Sequence, residues 1–191
     1  MKIEREKITS EQFEQKFKEI LIEYLKDAGV EVRHKVVCGW NWDAGPDIPI
    51  WIIRQADTDK ATALRVYWSI EPGYHKQFDR EQVLNDIPDW DTDKEALIIF
   101  DLVEEIEEKY VSGFYQNSEI AFNPAWDTTY GEERAYDFTA YARKQNVNAV
   151  RKIPDIMFEG LDGRKISDPD DWAEGIPPYM GPAFYQKYDI V

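Results

Sequence analysis

The sequence predicts a mainly α-helical fold. Three segments carry apolar residues at helical spacing, and two of them begin with a capping pattern. Hydrophobic residues make up 43% of the 191 residues and aromatic residues 14%, which is enough to close a core. The tail from Pro154 is rich in proline and aromatic residues and lacks this periodicity. We therefore expect a single domain, 1–191, with a regular helical body at 1–113. An irregular extension at 114–191 packs on that body and leaves room for one small β-hairpin.

The first predicted helix lies near residues 10–28. Thr9 and Gln12 are spaced as a capping box, in which each side chain caps the backbone N–H of the other. Apolar residues then recur every three or four positions, and Gly29 ends the pattern. We expect an amphipathic helix of about five turns.

The next segment, residues 30–37, leaves two alternatives open. Apolar and charged residues alternate at its start, as in a strand, but the alternation stops at His34. Periodicity alone does not decide between a short strand and another helix. Residues 43–46 have the composition of a turn, and Pro49 suits the first turn of a short helix.

Two longer helices are predicted near residues 59–70 and 93–111. Pro72 ends the first of them, while Thr92 and Glu95 open the second as another capping box. Apolar residues follow on one face of the second helix, and acidic residues follow on the opposite face. The acidic face, which we expect to point to solvent, consists of Asp101, Glu104, Glu105, Glu107 and Glu108.

Beyond Gly113 the periodicity weakens. One more helix is predicted near residues 132–145, and the tail is expected to wrap irregularly over the helical body.

Trp-Asp pairs occur at 42–43, 90–91 and 126–127. Their spacing is too uneven for the repeats of a β-propeller, and a long helix is predicted between the second and third pairs. Aspartate after an aromatic residue is also a common turn or N-cap residue, which accounts for all three pairs.

The segment from residue 40 to residue 74 has a pattern of its own. It runs from Asn-Trp-Asp through a glycine turn and an Ile-Pro helix start to an aspartate-rich linker, an Ala-Leu helix and a final Gly-Tyr. The residues concerned are Asn41, Trp42, Asp43, Gly45, Ile48, Pro49, Asp57, Thr62, Ala63, Leu64, Gly73 and Tyr74. On these residues the segment resembles the bacterial domain-of-unknown-function family 4274 (DUF4274), although the turn at residues 44–46 is less acidic than in that family. The resemblance implies a helical fold, and it carries no catalytic residue because the family has no established activity.

The Asn-Trp-Asp motif allows two interpretations. In the structural one, Asp43 accepts backbone N–H groups, Asn41 braces the loop, and Trp40 and Trp42 dock the neighbouring helices on the core. In the functional one, the two tryptophans are exposed beside a carboxylate and bind a partner or ligand.

Charge gives the main functional signal. The net charge is −15, and residues 79–137 hold 17 acidic residues against four basic ones. An electric field of this sign repels phosphate backbones and attracts basic proteins, so we expect no nucleic acid ligand. In the alternative interpretation, the negative charge only keeps the protein soluble. No run of apolar residues is long enough to span a membrane, and the first residues lack the pattern of a secretory signal. The single cysteine, Cys38, excludes an internal disulfide. We expect a cytoplasmic protein without a membrane partner.

The sequence carries no recognisable catalytic or metal-binding motif. His34 and Cys38 would share a helical face, but two ligands do not complete a zinc site. The acidic run at residues 168–171 lacks the glycine and the distal glutamate of a calcium loop. Phosphate-binding loops and nucleophile motifs are also missing. We therefore expect no metal, no cofactor and no catalytic residue.

These observations favour a non-enzymatic, acidic interaction protein of the immunity or inhibitor type that binds a basic protein partner. Two alternatives stay open: a hydrolase or carbohydrate-active enzyme that uses carboxylates beside tryptophans, and a small structural domain without a partner. The expected partner-binding residues are Trp40, Trp42, Asp43, Asp101, Glu104, Glu105, Glu108 and Trp126.

Overall fold

The computed structural model describes residues 5–86, 94–167 and 172–190. Within them the protein is mainly α-helical, as the sequence predicts. The helices are α1 (Ser10–Lys26), α2 (Val30–Gly39), α3 (Asp47–Ile53), α4 (Lys60–Ser69), α5 (Pro72–His75), α6 (Arg80–Asp86), α7 (Glu95–Val111), α8 (Thr139–Asn146) and α9 (Met180–Lys187). Short 3₁₀ turns occur at Trp42–Ala44, Glu132–Arg134 and Asp155–Phe158. Over the described ranges, no helix combines the length and the apolar character needed to cross a membrane.

Helix α1 begins at the predicted capping box. The Gln12 backbone N–H donates to Thr9 Oγ1 at 3.2 Å, and the Thr9 backbone N–H donates to Gln12 Oε1 at 3.0 Å. Its inner face buries Leu21 and Leu25. The predicted start and periodicity of this helix are therefore confirmed.

The segment at residues 30–37 is helical, and this decides between the two alternatives. Helix α2 buries not only apolar residues but also Arg33 and His34. The Arg33 guanidinium donates to the Leu25 carbonyl at 3.0 Å and to Asp57 at 2.8 Å. The alternation of apolar and charged residues was misleading because these two polar side chains point inward and find partners there.

Helix α4 lies at the centre of the core. All eight residues from 61 to 68 are buried, whereas the sequence predicted a single apolar face. Asp59 caps the helix by accepting from the Ala61 backbone N–H at 2.8 Å. The same carboxylate accepts from the Glu119 backbone N–H at 2.6 Å, which fastens the segment after α7 to the start of α4.

The C-terminal part contributes directly to this core. Ile120, Phe122, Ile153 and Met157 belong to the same buried cluster as α4. The helix predicted near residues 132–145 begins later than expected, at Thr139.

Asp137 explains where that helix starts. Its Oδ1 accepts from the backbone N–H groups of Thr139 at 2.8 Å and Ala140 at 3.0 Å, as an N-terminal capping side chain does.

Two short strands pair near the two ends of the described chain. Strand β1 (Glu6–Ile8) pairs in parallel with β2 (Tyr188–Ile190), with Ile8 opposite Ile190. Because these two strands run parallel, the pair is not a hairpin. Next to this pair, the Phe184 ring of α9 contacts Phe13 and Phe17 of α1 edge-on, at centroid distances of 4.6 and 5.3 Å.

Helix α7 is confirmed from Glu95 onward and buries Phe100, Val103, Ile106 and Tyr110. Thr92 of the predicted capping box, the Trp-Asp pair at 90–91 and the acidic run at 168–171 lie outside the described residues.

Candidate functional site

A groove of about 490 Å³ runs between helix α1, the turn after α2 and residues 173–182. Its volume falls within the range of roughly 300–1,000 Å³ that is usual for ligand sites. Most of the lining is apolar: Phe13, Phe17, Trp40, Ala44, Ala173, Ile176, Pro177, Pro178 and Pro182. We refer to this feature as the apolar groove.

The first wall of the apolar groove is the turn that contains the Asn-Trp-Asp motif. Trp40 is only 8% exposed, and its indole N–H donates to the Gly45 carbonyl at 3.0 Å. Asn41 Oδ1 accepts from the Asp43 backbone N–H at 3.0 Å and starts the 3₁₀ turn. Asn41 therefore has the capping role that the sequence assigned to Asp43, and the Asp43 carboxylate is exposed.

A second wall is a tight turn in the C-terminal segment. Its central residues, Glu174 and Gly175, both have left-handed backbone conformations, with φ of 53° and 76°. A side chain at Gly175 is excluded because a Cβ atom would lie 2.4 Å from the Val36 carbonyl oxygen. The turn thus rests directly on the end of α2. Glu174 is a non-glycine residue in a strained conformation, which is typical of functional positions.

The rim of the apolar groove is acidic. Glu14, Asp43 and Glu174 line it, and none of these carboxylates forms an ion pair with the described part of the chain. Lys18 also lines the groove, but its ammonium group donates to Asp47 Oδ2 at 2.6 Å. The groove thus offers an apolar surface, and the carboxylates at its rim are available to a cation.

The acidic face of α7, which we expected to bind a partner, is largely occupied by basic residues of the chain itself. Asp101 pairs with Arg80. Glu104 pairs with Arg151 and accepts from the Lys76 ammonium group at 2.6 Å. Neither acidic residue lines the apolar groove.

Glu105 is engaged more strongly than the other α7 acids. Arg54 donates to both of its oxygens, at 2.9 and 2.8 Å, and Lys109 donates to Oε1 at 2.7 Å. The hydrogen bond from Arg54 is the main cause that lowers the pKa of Glu105 to about 2. Four residues of α7 were predicted to bind a partner. Among them, Glu108 alone has no ion pair with a basic residue within the described ranges.

Glu107 does not face solvent, and this expectation was wrong. It is buried and accepts from the Lys76 ammonium group and from the Tyr67 hydroxyl, each at 2.5 Å. Burial is the main cause that raises the pKa of Glu107, and it likewise raises the pKa of Tyr67. The group joins α4, α7 and Lys76, the residue that follows α5, and has a structural role.

The remaining predicted tryptophans lie away from the apolar groove. Trp42 is partly buried against the core. Trp126 is 60% exposed and lines a different cavity, of about 240 Å³, next to Asp127. Asp127 accepts from the Thr129 backbone N–H at 3.1 Å and hydroxyl at 2.7 Å, so this Trp-Asp pair forms a turn. Of the eight predicted residues, Trp40 and Asp43 line the groove.

We expect Trp126→Ala to change the free energy of unfolding by no more than about 0.5 kcal/mol, because the side chain is mostly in solvent. Urea unfolding monitored by circular dichroism measures this. A loss of 2 kcal/mol or more, on the order of a core truncation, would show that Trp126 is packed.

Comparison with known protein families bears on the central part of the chain. Residues 29–111 match the family model "Domain of unknown function (DUF4274)". The match confirms the resemblance seen at residues 40–74 and extends it to α2 and α7. No curated protein and no solved structure matches the chain.

The DUF4274 segment supplies only one wall of the apolar groove. Trp40, Asn41, Asp43 and Ala44 belong to it, whereas α1 and residues 173–182 lie outside it. The groove is therefore completed by parts of this chain to which the family model does not extend.

The DUF4274 segment also contains the His34 and Cys38 pair. The two residues lie four positions apart on α2, and His34 Nδ1 is 3.0 Å from Thr62 Oγ1. Burial raises the pKa of the Cys38 thiol to about 11 and lowers the pKa of His34 to about 4. At neutral pH the thiol is protonated and the imidazole is neutral, so the pair lacks the thiolate of a nucleophilic site. The described ranges hold no cluster of three or more His, Cys, Asp or Glu side chains suited to a metal.

Proposed function

We propose that this protein is a non-enzymatic interaction protein of the inhibitor or immunity type, and that it binds a basic segment of a protein partner in the apolar groove. The observation that carries the proposal is the combination of an apolar lining with three carboxylates that have no ion pair among the described residues. An apolar side chain of the partner would lie against Phe13 and Phe17. Lysine or arginine residues beside it would meet Glu14, Asp43 and Glu174.

The charge of the whole chain supports a basic partner. A net charge of −15 speeds the approach of a positively charged segment, and the effect weakens with added salt. The groove is better suited than the α7 face to receive the segment. On α7, a partner would have to displace Arg54 from Glu105 and Lys76 or Arg151 from Glu104.

The construction of the groove also supports binding. Its lining includes Pro177, Pro178 and Pro182, whose backbone is already restricted, so little conformational entropy is lost when a partner is bound. Phe13 and Phe17, which are only partly buried, offer aromatic surface of the kind that forms interface hot spots. The area is small, and we expect one or two anchoring side chains of the partner to contribute most of the affinity.

The proposal predicts that reversing the rim charges weakens binding. The wild-type protein and Glu14→Lys/Asp43→Lys are used in parallel to isolate partners from the native host. The recovered partner is then titrated at two salt concentrations. We expect the reversed rim to slow association by about tenfold, with less dependence on salt. Both side chains are exposed, so stability should change little.

The matched control is Glu132→Lys/Glu133→Lys, which changes the net charge by the same amount at exposed positions outside the groove. It is expected to retain the partner. Equal losses in both double variants would mean that only total charge matters. A partner that binds the rim variant as tightly as the wild type would contradict the proposed site.

A further inference from the structure

A cavity of about 150 Å³, separate from the apolar groove, lies beside helices α5 and α8. Five aromatic side chains and one carboxylate line it: Trp68, Tyr74, Tyr136, Phe138, Tyr141 and Glu71. We refer to it as the aromatic cavity. Its volume is far above the roughly 10–15 Å³ that a single water molecule needs, so it has room for a small organic group.

The aromatic cavity has a fixed floor and an exposed rim. The Trp68 indole N–H donates to the Met157 carbonyl at 3.0 Å, which holds the buried ring in place. At the rim, Tyr74, Tyr136 and Tyr141 are 53, 60 and 69% exposed. Three large rings that line the same cavity and remain largely in water form an apolar surface of the kind that marks binding sites.

Two acceptor groups that line the aromatic cavity, on Glu71 and Gln145, have no partner within the described part of the chain. Glu71 has no ion pair or side-chain hydrogen bond within the described part of the chain, and its backbone is left-handed, with φ of 52°. Gln145 Oε1, which also lines the cavity, is buried without a hydrogen-bond donor there. A carboxylate and an unpaired carbonyl oxygen both favour a positively charged guest.

The rings favour the same guest. The face of an aromatic ring carries negative potential and attracts cations, most strongly those that lose little hydration on binding. The Phe138 ring is already used in this way, since the Arg65 guanidinium lies 4.7 Å from its centroid. The four other rings have no such contact with a basic residue among the described side chains.

We propose that the aromatic cavity binds a methylated ammonium group. A primary ammonium keeps three N–H groups that need acceptors, and besides Glu71 and Gln145 the side chains of this lining offer only the weaker tyrosine hydroxyl groups. A quaternary ammonium has no N–H groups to satisfy, and it presents methyl groups to the rings while its charge faces the carboxylate. The group is carried by small solutes and by methylated lysine side chains. This proposal is independent of the one for the apolar groove.

The test titrates the folded protein with tetramethylammonium and choline, and with the neutral carbon isostere of choline, 3,3-dimethyl-1-butanol, followed by NMR chemical shifts. We expect saturable shifts of residues around the cavity and at least about fivefold weaker binding of the neutral isostere. Equal binding of the isostere, or no saturation with any of these probes at tens of millimolar, would overturn the proposal.

Two peptide probes distinguish the sources of the group. A peptide with trimethyllysine that binds more tightly than choline would assign the site to a modified protein, and the reverse order would assign it to a small solute. If the same peptide with unmodified lysine binds as tightly as the trimethylated one, the proposal is wrong.

Variants test the lining. Glu71→Gln and Tyr141→Ala, both at exposed positions, are each expected to weaken binding of tetramethylammonium by about threefold or more. Tyr179→Ala removes an exposed tyrosine that does not line the aromatic cavity, and it should leave the affinity unchanged. Unchanged affinity in both cavity variants would overturn the assignment, even if the ions bind elsewhere on the protein.

Discussion

Replacing Lys76 with methionine is expected to lower the free energy of unfolding by about 3–5 kcal/mol, because it leaves the Glu107 carboxylate buried without its cation. The Lys76 side chain is only 3% exposed, and its ammonium group lies 2.5 Å from Glu107 Oε2. The pKa of Glu107 is already raised by burial and would rise further in this variant. Urea unfolding at pH 7 and at pH 5.5 measures the loss. The loss should be smaller at the lower pH, because burial raises the pKa of Glu107 and a lower pH favours its neutral form.

Two further variants isolate this effect. In Lys76→Met/Glu107→Gln the buried charge is gone while the Tyr67 hydroxyl keeps an acceptor, so we expect the double variant to recover about 2 kcal/mol or more of the loss. Lys26→Met removes a lysine from an exposed pair with Glu23 and should cost at most about 0.5 kcal/mol. A cost of Lys76→Met no greater than that of Lys26→Met would show that Glu107 is not held by this pair.

The helices that the sequence predicts well are those with local signals. The capping box of α1 involves residues three positions apart, and the apolar spacing of α1, α4 and α7 repeats over several turns. Helix α9 was not predicted, because it contains Gly181 and Pro182 and is stabilised by packing of Phe184 on α1. The parallel pairing of β1 with β2 joins distant parts of the chain and has no local signal.

The charge pattern of α7 shows a different limit. Helical spacing correctly placed Asp101, Glu104 and Glu105 on the face opposite the apolar residues. It gave no information about the basic residues of other segments that cover this face, such as Arg54 and Arg151. A count of acidic residues along one helix therefore overestimates the charge that the helix offers to a partner.

The sequence predicted only part of the candidate site, because contacts between distant segments of the chain have no local signal. Trp40 and Asp43 lie within the recognisable motif, and they form one wall of the apolar groove. The other wall contains Glu174, more than a hundred residues further along the chain, and only the folded chain brings it to the same groove as the motif. Gly175 is a turn signal in the sequence around Glu174. That local sequence does not indicate which helix the turn contacts.

Acidification is expected to destabilise the protein through His34. This residue is 1% exposed, and burial, together with the positive charge of Arg65, lowers its pKa from 6.5 to about 4, while Asp127 acts in the opposite direction. Because the folded state binds the proton less readily than the unfolded chain, the contribution of His34 to stability is fully present above pH 6.5. It is lost as the pH falls from 6.5 towards 4. At about 1.4 kcal/mol per pH unit, the loss amounts to about 3 kcal/mol.

The pH dependence of unfolding in His34→Gln tests this expectation. Urea unfolding is measured between pH 7 and 5, above the window from about 4.5 to about 2 in which Glu105 loses its stabilising charge. His75, whose pKa burial also lowers to about 4, contributes a slope of the same sign and remains in the variant. Glu107, whose pKa is raised by burial, contributes a slope of the opposite sign and also remains in the variant. We therefore expect His34→Gln to reduce the pH dependence to about half or less of that of the wild type, and His75→Gln to do the same. An undiminished slope in His34→Gln would mean that the imidazole takes up its proton without unfolding. The polar residues around it, Thr62, Arg65 and Asp127, would then have to rearrange to hold the charge.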